Sequence, residues 1–180
     1  VAQFNTIDGK TSSNVVLSGG ISDTAANLAP SGTASSGLTN ATTQDGDVAI
    51  TITGTNPTVA ELNKVASLTT GTVTATISET ISNLSSLSTA STDAITTTVT
   101  DAASVAQFNT LDAKTSVDIV LTGGVSDTAA AYASSGGTTT SGLTAIGAQD
   151  GDAVITVTDA ATVAQFNTID GKTSSNVVLS

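Results

Sequence analysis

Four segments of the chain alternate apolar and hydroxyl-bearing residues with a period of two. They are VAITIT at 48–53, TVTATIS at 72–78, AITTTVT at 94–100 and AVITVT at 153–158. In the first of them Ile50 and Ile52 alternate with Thr51 and Thr53, which makes one face apolar and the other polar. This pattern is typical of a β-strand with one buried and one solvated face, and it predicts a strand in each segment.

A three-residue spacing of apolar positions follows the last of these segments. The apolar residues are Ala160, Val163, Phe166 and Ile169. This spacing places them on one face of a helix of about three turns. Thr158-Asp159 before them resembles a helix N-cap with an acid in the first turn. Gly171 is placed to end the helix as a C′ glycine, as is Gly9 in another copy. The phenylalanine position (Phe4, Phe108 and Phe166, with Leu62 in the degenerate copy) is predicted to be core.

A shorter helix is predicted at 23–29, where the sequence reads DTAANLA. The segment at 30–47 that follows is rich in Gly, Ser and Thr and is almost deleted elsewhere in the chain. We therefore expect it to form a loop outside the repeating core.

The chain is built from internal repeats. Residues 1–18 recur letter for letter at 163–180, a third copy begins at Val105, and a degenerate fourth begins at Val59. These matches divide the chain into a repeat unit at 1–58, a shortened unit at 59–104, a second full unit at 105–162, and the start of the next cycle at 163–180. Repetition at such periods is typical of stacked arrays.

A finer motif, [V/I]-[S/T]-[D/E]-[T/A], recurs about every 27 residues, so that each unit holds two coils. Strand, capped turn or helix, loop and next strand then form one coil. The sequence thus predicts a mainly β fold with short helices, a parallel β-solenoid. Tandem β-sandwich domains are the alternative, which the Thr-rich alternating strands would also suit.

Composition excludes several classes of function. The chain has no His and no Cys, so a Ser-His-Asp triad, a thiolate nucleophile and a His/Cys zinc site are all excluded. Its formal net charge of −11 repels phosphate backbones, so we expect no nucleic-acid partner. No apolar run is long enough for a membrane span. Because the acids repeat with the array and do not gather in one place, we expect no catalysis.

The phrases VTDAASVAQFNTLDAKTS and ISDTAANLA, with the Thr-rich strands, resemble giant repetitive secreted proteins of cyanobacteria and other aquatic bacteria. Such β-strand-repeat proteins are described as RTX-adhesin-like. The resemblance covers the whole chain and implies an extracellular or cell-surface location with a structural or adhesive role. The calcium-binding GGxGxDxUx nonapeptide is absent from this sequence, so calcium dependence does not follow from the resemblance.

Two Asp-Gly-Asp segments are the candidate metal sites. Asp45 and Asp47 flank one glycine, and Asp150 and Asp152 flank another at the equivalent place. Paired carboxylates supply the hard oxygen ligands that Ca²⁺ prefers, although calcium needs six to eight oxygens in total. The alternative is a plain turn, because Asp-Gly is a turn former in its own right.

These features together predict a structural module of a large extracellular protein that forms or decorates a surface filament or matrix. Its expected partners are copies of itself, end-to-end or laterally, and polysaccharide or other cell-surface components. Two alternatives stay open. One is an adhesin stalk of calcium-rigidified β domains, and the other is ice binding through the Thr-x-Thr strands, whose hydroxyls could form a flat grid.

Overall fold

The computed structural model describes residues 1–54 and 56–180 of the chain. These residues fold as an α/β protein, 36% helical and 20% strand, with eight strands in parallel sheets and nine α-helices. The helices are Ala2–Asp8 (α1), Ala25–Leu28 (α2), Ser36–Gln44 (α3), Val59–Ala66 (α4), Ile81–Leu84 (α5), Val105–Asp112 (α6), Ala129–Tyr132 (α7), Ser141–Gln149 (α8) and Val163–Asp170 (α9). The strands are Ile21–Thr24 (β1), Ile50–Thr53 (β2), Val73–Glu79 (β3), Ala94–Val99 (β4), Ile119–Leu121 (β5), Val125–Asp127 (β6), Ile155–Val157 (β7) and Val177–Leu179 (β8).

The prediction of a mainly β solenoid is wrong, and so is the alternative of tandem β-sandwiches. Each strand is only three to seven residues long, and the described residues contain more helix (36%) than strand (20%). A sandwich is built from antiparallel sheets, whereas the strands here pair in parallel. The sandwich fold that the adhesin-stalk alternative requires is therefore not the fold of this chain.

Much of the unforeseen helix lies in the segment predicted to be a loop. Residues 30–47 contain a 3-10 turn at Pro30–Gly32 and then α3. The equivalent helix in the repeat at 105–162 is α8. Ser, Gly, Thr and Asn are weak helix formers, but Leu38 and Ala41 are fully buried on the inner face of α3. Ser35 caps this helix by accepting the N–H of Leu38 at 3.2 Å. Tertiary burial and capping here outweigh the poor intrinsic propensity.

The described chain divides into two compact units. The first comprises Val1–Ile77, Ser86–Thr96 and Lys114–Val117, and the second comprises Ser78–Ser85, Thr97–Ala113 and Asp118–Ser180. In the first unit β1 pairs with β2 and β2 with β3, with Ile21 opposite Ile50 and Ile50 opposite Val73. In the second unit β5 pairs with the end of β4, and β6, β7 and β8 form a three-stranded parallel sheet.

The predicted division of each strand into a buried and an exposed face is confirmed. Ile50 and Ile52 of β2 are buried, whereas Thr51 and Thr53 are exposed. β3 shows the same alternation over its whole length. Aligned apolar columns thus face the helices, and aligned hydroxyls face solvent.

Each unit has its own apolar core. Phe4, Leu62 and Phe108 are buried as predicted, but Phe166 of α9 is only half-buried. The fully buried side chains of the first unit include Leu28, Leu38, Ile50, Leu62 and Ile77, and those of the second include Leu84, Phe108, Leu111, Ile119, Tyr132 and Leu143.

The predicted helix ends differ in two details. Gly171 and Gly9 do follow their helices, but their φ angles of −71° and −65° are ordinary right-handed values, and Ala113 adopts the same conformation after α6. Glycine is therefore not required at this position. Thr158 does not cap α9, because the N-cap of α9 is Thr162, four residues later.

Candidate functional site

Aspartates at the ends of strands bond to the starts of earlier helices. In each case one carboxylate oxygen accepts the N–H of a helix's first residue, or of the residue just before it, 20 to 30 positions back in the chain. We call these residues the strand-end aspartates. The pairs and N···O distances are Asp23 with Val1 (2.7 Å), Asp101 with Ile81 (2.6 Å), Asp127 with Val105 (3.1 Å) and Asp159 with Ala129 (2.6 Å).

This arrangement corrects the predicted role of the acid in the recurring motif. The acid was expected in the first turn of its own helix, but the four strand-end aspartates each bond to the helix of the preceding repeat. Glu79, the acid of another copy of the motif, instead bonds to Thr80 and Asn83 at its own helix α5. At α2 the following residue is the cap, as Thr24 accepts the N–H of Asn27 at 3.3 Å, whereas Thr128 makes no side-chain cap bond to α7. A helix N-terminus carries unpaired N–H donors and a partial positive charge, so a carboxylate there is favourable.

The long helices have separate N-caps, which are complete capping boxes in three cases. Ser104 and Gln107 cap α6 reciprocally, and Thr162 and Gln165 cap α9 in the same way. Thr58 and Glu61 form the equivalent box at α4. The spacing of Ser or Thr to Gln or Glu three residues later is readable in sequence, and it is the signal that could have placed these starts correctly.

Asp23 illustrates the electrostatics of the strand-end position. Burial works to raise the pKa of the Asp23 carboxyl. Hydrogen bonds from the Val1 ammonium, the Asn27 side chain and the Thr24 N–H outweigh burial and hold that pKa below its ordinary value. The folded state therefore favours the ionised carboxylate at this position.

The Asp-Gly-Asp segments form a second set of contacts between successive repeats. Asp45 Oδ2 accepts the N–H of Leu17 at 2.6 Å, and Asp150 Oδ2 accepts the N–H of Leu121 in the equivalent place. A turn follows each first aspartate, with the Val48 N–H bonded to the Asp45 carbonyl at 3.3 Å. The predicted turn is thus present at these segments.

Glutamines before the Asp-Gly-Asp segments bond to aspartates of the long helices, and sequence reasoning missed them. Gln44 Nε2 donates to Asp8 Oδ1 at 3.0 Å, and Gln149 Nε2 donates to Asp112 Oδ1 at 2.6 Å. Gln149 Oε1 also accepts the N–H of Ile119 at 3.0 Å. The available signal was the fixed place of Gln before both segments and of Asp near the end of both helices.

Threonines after the long helices form a third recurring contact that sequence reasoning missed. Their hydroxyls donate to a backbone carbonyl 20 or 21 residues earlier. The pairs are Thr69 with Val48 (2.6 Å), Thr115 with Ile95 (2.8 Å) and Thr173 with Ala153 (2.7 Å). Each hydroxyl bonds to a carbonyl in a strand or two residues before one, so this contact also sets the register of neighbouring repeats.

The four predicted calcium ligands lie in two separate pairs. Asp45 and Asp47 line a hollow of about 280 Å³ with Leu17 and Ser18. Asp150 and Asp152 are neighbours, and burial first, then the Asp152 carboxyl, raises the pKa of Asp150 against the opposing effect of the Leu121 N–H. Within residues 1–54 and 56–180, no three His, Cys, Asp or Glu side chains cluster as metal ligands. The calcium site stays a prediction.

The exposed face of the first unit's strands carries hydroxyls in register. Ser22 lies opposite Thr51, and Thr51 lies opposite Thr74, all three exposed. Thr24 lies opposite Thr53 in the next row. Adjacent strands are about 4.8 Å apart and alternate residues along a strand are about 6.7 Å apart. In the second unit valines stand where this face of the first unit has hydroxyl residues. Val120 lies opposite Thr98, and Val178 lies opposite Thr156.

No described helix is both long and apolar enough to cross a lipid bilayer. No protein-family model, curated protein or solved structure matches this chain.

Proposed function

We propose that the chain is a structural repeat module of a large extracellular protein that forms or decorates a cell-surface filament or matrix. The observation that carries the proposal is the recurrence of one set of contacts at equivalent places. Residues 1–18 are contacted by Asp23, Gln44 and Asp45. Residues 105–121 are contacted in the same way by the equivalent residues Asp127, Gln149 and Asp150. Stability that is shared between neighbouring repeats suits a mechanical role.

The proposal includes no reaction. Six of the aspartates that repeat along the chain accept backbone N–H groups, namely Asp45, Asp150 and the four strand-end aspartates. A carboxylate committed in this way holds repeats in register and has little freedom to transfer protons. We propose copies of the same chain and cell-surface polysaccharide as the partners.

The proposed location rests on the resemblance to giant secreted repeat proteins and on the cysteine-free, acidic, hydroxyl-rich composition. Immunogold electron microscopy of intact cells, with antibodies against this chain, tests it. Gold on external filaments or matrix is the expected result. Gold only after the cells are permeabilised would overturn the proposal. A non-immune serum and mild protease shaving of intact cells are the matched controls.

Ice binding is a second candidate, favoured by the registered hydroxyl face. Ser22, Thr51 and Thr74 form a column on an exposed sheet surface, flanked by Thr24 and Thr53. Thermal hysteresis of the purified chain tests this candidate. Thr51→Lys should abolish any hysteresis, whereas Thr43→Lys on the exposed side of α3 should not. Equal values for the chain and for a protein of similar size and charge would remove the candidate.

A further inference from the structure

Two segments of the chain match the acceptor sequence for N-linked glycosylation, which is Asn-x-Ser/Thr with any residue except proline in the middle. They are Asn40-Ala41-Thr42 within α3 and Asn83-Leu84-Ser85 at the end of α5. In an exported protein such a tripeptide is where a sugar chain is joined to the asparagine amide. Because the tripeptide is short, the surroundings of each amide have to decide between the two segments.

The Asn40 side chain is free in the folded chain. It is exposed on the outer side of α3, and within residues 1–54 and 56–180 its amide makes no hydrogen bond. The inner side of the same helix is formed by Leu38 and Ala41, which are fully buried. A sugar on the Asn40 amide would therefore extend into solvent and would displace no contact that holds α3 in place.

The Asn83 side chain is occupied. Its Nδ2 donates to Glu79 Oε2 at 2.9 Å, and the same carboxylate oxygen accepts the Thr80 N–H at 3.3 Å. The Asn83 N–H in turn donates to the hydroxyl of Thr80, the N-cap of α5. A sugar on Asn83 would remove one amide hydrogen and crowd the Glu79 carboxylate, so the folded chain opposes modification there.

The repeat supplies an internal comparison, because α8 has no acceptor at the equivalent place. Helix α3 reads SGLTNATTQ and α8 reads SGLTAIGAQ, so Asn40 corresponds to Ala145 and Thr42 corresponds to Gly147. A Cβ at Gly147 would come within 3.0 Å of the carbonyl oxygen of Lys172, so the hydroxyl residue of an acceptor sequence would be crowded there. The acceptor is thus present in only one of two helices that are otherwise equivalent.

From these observations we infer that Asn40 is an N-glycosylation site and that its sugar covers the outer side of α3. The inference rests on the proposed extracellular location, because the donor, a saccharide carried on a lipid pyrophosphate, modifies exported chains. Asn40 Nδ2 bonds to the anomeric carbon of the sugar, and the bond from that carbon to the pyrophosphate oxygen breaks. The pyrophosphate leaves with the electron pair, and one amide proton is released.

The transfer has to precede the packing of α3. A transferase must surround the tripeptide to reach its amide and its hydroxyl together, but Ala41 within it is fully buried in the folded helix. The nine residues of α3 are mostly weak helix formers and too few for a stable isolated helix. Until it packs, the segment is therefore unfolded and accessible. The Thr42 hydroxyl, which donates to the Leu38 carbonyl at 3.1 Å in the fold, is then free as well.

Mass spectrometry of the chain purified from its own cells tests the inference. Electron-transfer fragmentation leaves sugars attached to their residues and so locates them. We expect a saccharide on Asn40 and none on Asn83 in the folded protein. An unmodified Asn40, a sugar on the neighbouring threonines in its place, or a sugar on Asn83 would each overturn the inference.

Two matched substitutions in the same cells separate N-linked transfer from other attachment. Thr42→Ala removes the hydroxyl that the acceptor sequence requires but keeps Asn40, so the sugar should be lost. Thr43→Ala removes an exposed hydroxyl outside the acceptor sequence and should leave the sugar in place. A sugar that persists in Thr42→Ala would contradict the assignment. Absence of the sugar from a chain that immunogold places outside the cell overturns this inference alone and leaves the proposed function standing.

Discussion

The carboxylate of Asp127 accepts the backbone N–H of Val105 at 3.1 Å, although 22 residues separate the two along the chain. Asp127 also accepts the N–H of Thr128 through its other oxygen at 2.8 Å. One side chain thus joins the end of β6 to the start of α6 and to its own following residue. A hydrogen bond to a charged group of this kind contributes about 1.5–3 kcal/mol.

Removing that carboxylate should destabilise the second unit. Asp127→Ala leaves the Val105 N–H without its acceptor, and we expect the free energy of unfolding to fall by about 1.5–3 kcal/mol. Asp127→Asn keeps one oxygen acceptor and should lose clearly less. Urea denaturation followed by circular dichroism measures both. Asp118→Ala, at an exposed aspartate, is the control, and an equal loss there would show that the effect is one of net charge.

The close packing of α6 on α8 should make the stability of the chain sensitive to side-chain size at their contact. A Cβ at Gly142 would lie well inside van der Waals contact of Val105 Cγ1. Gly142→Ala should therefore destabilise the chain by about 1–3 kcal/mol. The same substitution at Gly136, where an added Cβ meets open space, should change stability by less than about 0.5 kcal/mol.

A double substitution checks the cause of that loss. Val105→Ala removes the atom that the new methyl group meets, so Gly142→Ala should cost less in a Val105→Ala background than in the wild type. Thermal melts of the four proteins complete the cycle. Simple additivity of the two effects would contradict the steric explanation.

The Asp150–Asp152 pair predicts a pH dependence with a definite sign. Burial and the neighbouring carboxyl raise the pKa of Asp150 in the fold. A raised carboxyl pKa stabilises the fold below the unfolded pKa, and this contribution is lost as pH rises through the folded pKa. Asp152→Asn removes the neighbouring charge, so its melting temperature relative to wild type should increase between about pH 4 and pH 7. Asp118→Asn should show no such trend.

Calcium binding at the Asp-Gly-Asp segments has a direct test. Each segment offers two carboxylates, and Asp45 already gives one oxygen to the Leu17 N–H, so we expect weak sites that fill at millimolar calcium. Added calcium should raise the melting temperature of the wild type more than that of an Asp47→Asn/Asp152→Asn variant. Magnesium is the matched control ion. No difference between the two proteins would remove the prediction.

Strands were the part of the fold most readily predicted from sequence. Ile50 and Thr51 show why, because a period of two reports directly which side chains are buried. The phenylalanine repeat likewise located the long helices. The buried faces of these elements are apolar, and burial of apolar residues leaves a visible pattern in the sequence.

The fold class was missed because α3 and α8 leave almost no such pattern. Leu38 and Ala41 are the main apolar residues that α3 buries, and Gly37 and several threonines surround them. The helix depends on contacts with α1, which sequence periodicity does not report. A segment of weak helix formers thus reads as a loop, although packing holds it in a helix.

The contacts between repeats were hidden for a different reason. The sequence places Asp101 and Ile81 20 residues apart, and only the fold brings that carboxylate to the helix start. The aspartates were visible as a repeating motif, but their partners are backbone groups that carry no sequence signature. The same holds for Thr115 and the carbonyl of Ile95.

The strand-end aspartates bind main-chain N–H groups, and this has a consequence for how the repeats can diverge. Their donors belong to valine, isoleucine and alanine, at Val1, Ile81, Val105 and Ala129. Every non-proline residue offers the same donor, so selection can hold the aspartate fixed while the donor residue changes freely. Neighbouring repeats can therefore accumulate substitutions independently and still recognise one another.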